Sequence, residues 1–143
     1  MIRKILVPVD QSKTSIKAAD YAFEVAKQMD ATIAFLCVME INMLEINPDA
    51  GEFPDEKRLK IKTKFIELIK TLERKHPQLE VEKVFLTEGK VAEQIIKKAT
   101  EWSADLIIMG SHGRTGLSHL LLGSTAEAVM RHGKIPVLIV PKD

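Results

Sequence analysis

Glycines stand at 110, 113, 116 and 123, four of the seven in the chain, inside fourteen residues. They follow an apolar run, Leu106-Ile107-Ile108-Met109, and end at Ser124-Thr125, which opens a helix-like segment. Ordering a glycine costs more backbone entropy than ordering any other residue. So tight a cluster implies a main chain that turns sharply or lies very close to something. Between a buried strand and a helix N-terminus, the chemistry it suits is phosphate binding by backbone N–H groups. The spacing, Gly110-x-x-Gly113, nine residues, Gly123-Ser124, is neither a Walker A loop nor the dinucleotide fingerprint. Two glycine corners set this far apart could close on a phosphate chain from opposite sides. Ser124 and Thr125 would add hydroxyls at a helix start, and Arg114 a guanidinium fork. A ligand-free reading fits the same residues. Ser124-Thr125-Ala126-Glu127 matches a capping box with Ser124 as N-cap, and the glycines then serve only as turns.

Few other residues offer chemistry. Asp10 follows an apolar run and is a candidate for binding a ribose, or a magnesium ion that bridges to phosphate. Its alternative is to cap the helix that follows, a role Ser12 could equally fill. His112 and His119 lie in the glycine loop without an evident third ligand, so no metal site is read there. His112 is placed near the ligand by position alone. His76 and His132 fall near helix C-termini, where partial positive charge is favoured. Cys37, the single cysteine, sits in Ala34-Phe35-Leu36-Cys37-Val38 and reads as a buried, inert thiol. No Ser-His-Asp triad or paired-carboxylate motif is recognisable, so no catalytic residue is assigned.

The elements that must position these groups alternate. Apolar, β-branched runs predict strands at 2–9, 31–38, 79–87, 104–109 and 135–140. Apolar residues at spacings of three and four predict helices at 14–29, 56–75, from Val91 to Trp102, and at 125–132. Residues 40–55, with Pro48, Gly51 and Pro54, read as irregular. Strand–helix alternation implies one doubly wound α/β domain, residues 1–143, with a parallel sheet and helices on both faces. Strands one, four and five are apolar at nearly every position, as burial on both faces requires. Ligands in such sheets sit outside the carboxyl ends of the strands. Here those ends are Pro8-Val9-Asp10, Val38-Met39, Thr87-Gly89 and Met109-Gly110.

Composition excludes other classes. The net charge is +1, and the cluster Lys57, Arg58, Lys60, Lys62 and Lys64 fits the solvated face of a helix, so nucleic-acid binding is not expected. No apolar run approaches the roughly 20 residues that span a bilayer. The first residues lack the features of a signal peptide, and a lone cysteine suits a reducing compartment, so a cytoplasmic protein is expected.

The loop, with Ile-Met-Gly-Ser-His-Gly-Arg before it and Leu-Leu-Gly-Ser after it, resembles the signature of the universal stress protein family, in its nucleotide-binding branch. The resemblance covers the whole chain, from Ile5-Leu6-Val7-Pro8-Val9-Asp10 through Gly89 to Pro136-Val137-Leu138-Ile139-Val140. It implies a Rossmann-like sheet in order 3-2-1-4-5 and a site for ATP or AMP. Pro8, Val9 and Asp10 would then lie near base and ribose, and Val38 would meet the adenine through its backbone. Met109 and Gly110 would flank base and sugar, while Gly113, Gly123, Ser124 and Thr125 would hold the phosphates. Cys37 departs from the polar or histidine residues frequent at that position, with a side chain expected to point away from the ligand.

Three functions remain open: a nucleotide-responsive switch, a slow magnesium-dependent ATPase at the same site, and a nucleotide-free interaction module. Adenylation chemistry is disfavoured, because Val9-Asp10-Gln11-Ser12-Lys13 lacks the glycines of the S-G-G-x-D-S loop in related synthetases. In the implied strand order the fifth strand is a sheet edge, apolar on both faces, which predicts a homodimer through residues 136–140. No residue names a downstream protein partner.

Overall fold

The computed structural model describes residues 1–113 and 121–142. Its elements are β1 (Lys4–Pro8), α1 (Lys13–Met29), β2 (Thr32–Met39), α2 (Pro54–Lys75), β3 (Val81–Glu88), α3 (Val91–Glu101), β4 (Leu106–Gly110), α4 (Ser124–His132) and β5 (Val137–Val140). The five strands form one sheet in order β3-β2-β1-β4-β5, every neighbouring pair parallel. That is the expected fold. Residues 40–53 are not wholly irregular: they hold two single 3-10 turns, Met43–Glu45 and Pro48–Ala50, each opened by an asparagine whose side chain accepts a backbone N–H. α2 begins two residues earlier than expected because Pro54 supplies a preset φ at its first turn.

Alternation along the strands sorts the core into two layers. Ile5, Val7, Ile33, Phe35, Cys37, Leu106 and Ile108 face α1 and α2. Leu6, Ala34, Leu36, Ile107 and Met109 face α3 and α4. Helix α1 reaches the sheet closely because its inner stripe is small: Ala18, Ala19, Ala22 and Ala26 are buried around Phe23. Cys37 is buried in the α1/α2 layer, as expected. The interiors of β1, β2 and β4 are buried on both faces. β5 departs from the expectation. Val137, Leu138 and Ile139 are half-buried, since an edge strand has sheet on one side only. Among the described residues no helix is long and apolar enough to cross a membrane.

Two polar ties join neighbouring elements. Asp105 Oδ2 accepts the N–H groups of Arg3 and Lys4, each at 2.9 Å, and so joins the starts of β1 and β4. These bonds, Arg3 first, hold the Asp105 carboxyl below its ordinary pKa. On α2, Arg58 forks to Glu88 at 2.9 and 3.0 Å and also reaches Asp55. The rest of the basic cluster is solvated.

Candidate functional site

The carboxyl ends of β1, β2 and β4 define a crevice, and the chain leaves each strand differently. β1 leaves the ladder after Val9, whose N–H donates to Leu36 O at 2.9 Å. The next N–H, of Asp10, turns to Ser15 Oγ, and Gln11 takes a left-handed φ of 73°. A non-glycine residue in that region is uncommon and is sustained only where its surroundings fix it. Here they do. Asp10 Oδ1 accepts Ser12 N–H at 3.0 Å, and Ser12 Oγ accepts Ser15 N–H at 3.1 Å as the α1 N-cap. The capping role therefore belongs to Ser12, and the Asp10 carboxylate faces the crevice.

β2 ends differently. Leu36 O is bonded on the β1 side, and Met39 O accepts Gly89 N–H on the β3 side. Amide direction alternates along a strand, so the N–H and C=O of Val38 both point toward β1. The β1–β2 pairing ends at Pro8–Leu36, two residues short of Val38. A donor and an acceptor thus stand side by side at the crevice, beside the buried Met109 and the half-buried Pro8.

At the β4 exit the loop folds back on itself. Ser111 N–H donates to Val140 O at 3.0 Å, and Gly123 N–H donates to Ser111 O at 2.6 Å. A Cβ on Gly123 would stand 3.0 Å from Ser111 O and 3.2 Å from His112 Cα. A Cβ on Gly113 would stand 2.8 Å from Asp10 Oδ2. The two glycine corners, ten positions apart in sequence, therefore meet, with Gly113 N 3.8 Å from a Cβ on Gly123 and Asp10 on the Gly113 side. Gly110 has a different neighbour. Its Cβ would lie 2.9 Å from the carbonyl carbon and oxygen of Thr14, so this glycine admits the first turn of α1 against β4.

His112 is buried, as is Ser111, and their side chains are joined by Ser111 Oγ and His112 Nδ1 at 2.9 Å. Thr14 Oγ1 donates to His112 O and pins the loop to α1. Neither Ser111 nor Thr14 was among the sequence candidates. The one available signal was a hydroxyl residue beside a glycine or a helix start. Lys13, Thr14, Lys17 and Lys142 line a depression of about 420 Å3 at the same helix end. Arg114, His119 and Gly116 lie outside the described residues.

The capping box at α4 is corrected. Gly123, with φ −71° and ψ 160°, is the N-cap and makes no side-chain bond. Ser124 is the first helical residue and is exposed, Thr125 is half-buried, and Glu127 pairs with Arg131 at 2.7 Å instead of reaching back. A glycine cap leaves the first N–H groups of α4 without a side-chain acceptor. Among the described residues no three His, Cys, Asp or Glu side chains group to hold a metal.

The family description for universal stress proteins matches residues 1–141, and the chain belongs to that family. Universal stress protein MJ0531 of Methanocaldococcus jannaschii is 34% identical over 143 residues, covering 99% of this chain and 84% of that protein. Universal stress protein YxiE of Bacillus subtilis is 31% identical over 147 residues, covering 98% and 99%. The solved structure of MJ0577, also from M. jannaschii, superimposes with a TM-score of 0.81 at 29% identity, covering 100% of this chain and 98% of that one. A universal stress protein in complex with cAMP superimposes with a TM-score of 0.71, covering 99% and 98%; at 23% identity it shares the fold.

Proposed function

We propose that this chain binds an adenine nucleotide, ATP or AMP, across the carboxyl ends of β1, β2 and β4, and that the bound nucleotide acts as a signal rather than a fuel. One observation carries the reading: Gly113 and Gly123 come together, a Cβ on Gly123 falling 3.8 Å from Gly113 N and one on Gly113 2.8 Å from Asp10 Oδ2. Glycines that merely turn the chain need no such convergence. In this reading Gly113, Gly123, Ser124 and Thr125 hold the phosphates, together with the N–H groups left open by the glycine cap of α4. Arg114 and His112 complete the phosphate side. Val38 offers its N–H and C=O to the Watson–Crick edge of adenine, between Pro8, Val9, Met109 and Gly110, and Asp10 takes the ribose hydroxyls. Where a magnesium ion accompanies the phosphates, Asp10 is the carboxylate that fits it, with Oδ2 turned toward Gly113.

Magnitudes divide the labour between the two halves. Four charge-assisted N–H bonds contribute about 6–12 kcal/mol. Association costs about 4–15 kcal/mol. The cradle alone breaks even, and an adenine face of about 150 Å2, at ~25 cal/mol per Å2, adds about 4 kcal/mol. Base and phosphate are therefore both required. Mass spectrometry of the purified protein should find adenine nucleotide, and calorimetry should give tighter binding for ATP than for tripolyphosphate or adenosine. Saturating ATP and AMP that leave the Tm and amide NMR shifts untouched would refute the reading.

The exposed edge of β5 pairs, in the same proposal, with its own copy to form a homodimer in the cytoplasm. The slow ATPase is tested by phosphate release measured against Gly113→Val, where loss of the signal identifies hydrolysis at this site.

A further inference from the structure

The segment between β2 and α2 carries charge of one sign. Residues 40–56 hold Glu40, Glu45, Asp49, Glu52, Asp55 and Glu56 and no lysine, arginine or histidine, in a chain whose net charge is +1. Arg58 takes Asp55, and Glu52 accepts the Asn47 N–H. Among the described residues Glu40, Glu45, Asp49 and Glu56 pair with no cation. The same segment exposes apolar side chains: Leu44 is 94% exposed, Met43 59% and Phe53 49%. One exposed leucine needs no explanation, but several in one place do. Hydrogen bonds gather these. The Asn42 side chain and carbonyl accept the N–H groups of Leu44 and Glu45, closing the turn that carries Met43 and Leu44. Asn47 and Glu52 then bond reciprocally, Glu52 N–H to Asn47 O at 3.1 Å and Asn47 N–H to Glu52 Oε2 at 3.0 Å. The chain thereby doubles back and brings Phe53 beside Ile46, two residues from Leu44.

The sign of the charge selects the occupant. Nucleic acid and an anionic lipid surface are repelled by such a loop, and so is the same loop of a second copy. We infer that Met43, Leu44 and Phe53, set among these carboxylates, form a docking surface for a cationic segment of another protein, one that carries lysine or arginine around an apolar side. The apolar contact supplies the hold, and the carboxylates select sign and register. Turns closed before binding lose little further freedom when the partner seats. The loop leaves β2 directly after Met39, so the docked segment stands at the mouth of the crevice. The inference is independent of the nucleotide reading.

Titration of the full chain with three synthetic peptides of equal length, followed by amide NMR shifts, tests it: one of leucine and lysine, one of leucine and glutamate, one of serine and lysine. The leucine–lysine peptide should shift the amides of residues 40–56 above all others and bind about tenfold or more tighter than either control. Leu44→Ser should weaken it roughly tenfold at unchanged Tm, since that side chain is exposed in the free protein. Glu45→Lys should weaken it by a margin that shrinks in high salt. Shifts spread over the whole surface, equal binding of the serine–lysine peptide, or a Leu44→Ser variant that binds like wild type would reduce the contact to non-specific ion pairing and overturn the inference. Self-association of the wild type, measured by sedimentation and lost in Leu44→Ser, would also overturn it, because the face would then be covered by a second copy.

Discussion

Gly110 and Gly113 stand in one loop, yet alanine at each should fail in a different way. At Gly110 the added Cβ would lie 2.9 Å from the backbone carbon and oxygen of Thr14. Carbon atoms pack at about 3.5–4.0 Å, so α1 must withdraw by roughly half an ångström. That first turn is held by the Ser12 cap and by the bond from Thr14 to His112 O, and it cannot withdraw freely. Overpacking of this kind costs about 1–3 kcal/mol. In a chain of this size each kcal/mol is worth roughly 2–4 °C of Tm, so Gly110→Ala should melt about 6 °C lower. At Gly113 the new Cβ meets, among the described residues, only Asp10 Oδ2, a side-chain tip and not backbone. The fold should lose less than about 1 kcal/mol. The displaced carboxylate and the added methyl would instead crowd the phosphates. Losing one charge-assisted bond, about 1.5–3 kcal/mol, weakens ATP roughly 10- to 150-fold. Scanning calorimetry of the free variants and titration with ATP measure both quantities. Gly113→Ala that melts as low as Gly110→Ala, or that stays folded and binds ATP like wild type, would refute the assignment of Gly113 to the cradle.

Leu138→Lys places a charge on the exposed edge strand and should yield monomer or aggregate by light scattering; an unchanged dimer would move the interface elsewhere. Asp105 has a lowered folded pKa. Its contribution to stability is complete above the unfolded carboxylate value of about 3.9 and is lost as pH falls through the folded value. Asp105→Asn should therefore lower the Tm near neutral pH, with a gap to wild type that narrows as pH falls below the unfolded carboxylate value; a gap independent of pH would show that the charge is irrelevant. Cys37 should react with a thiol reagent only in denaturant, and rapid reaction of the native protein would contradict its place in the core.

The order of elements was legible because each strand is apolar enough, and each helix periodic enough, to declare itself. So was the convergence on the carboxyl ends, since strand–helix alternation forces a parallel sheet. Two features were not. The capping box at Ser124-x-x-Glu127 matches the pattern, but in Gly-Ser the pattern cannot decide which residue keeps the extended backbone; glycine does, and Glu127 has a nearer partner in Arg131. Gly110 belongs to a glycine motif, yet its neighbour is the backbone of Thr14, 96 residues away in the chain and invisible to local spacing.

The crevice is built by the bonds that end the strands. Asp10 turns β1 into the α1 cap, Ser111 joins β4 to the last residue of β5, and Gly123 returns the loop to Ser111. Each of these bonds satisfies backbone groups where the strands end, so the cradle is held by the fold whether or not a ligand is present. A preorganised site loses little further freedom on binding, which is how a few N–H groups can suffice. It follows that positions in the crevice divide by what their removal leaves unpaired. At Gly110 and Ser12 a change displaces a helix or strands a main-chain N–H, and binding falls because the fold falls. At Gly113 the neighbour is a single carboxylate oxygen, Asp10 Oδ2, and not backbone, and there affinity separates from stability.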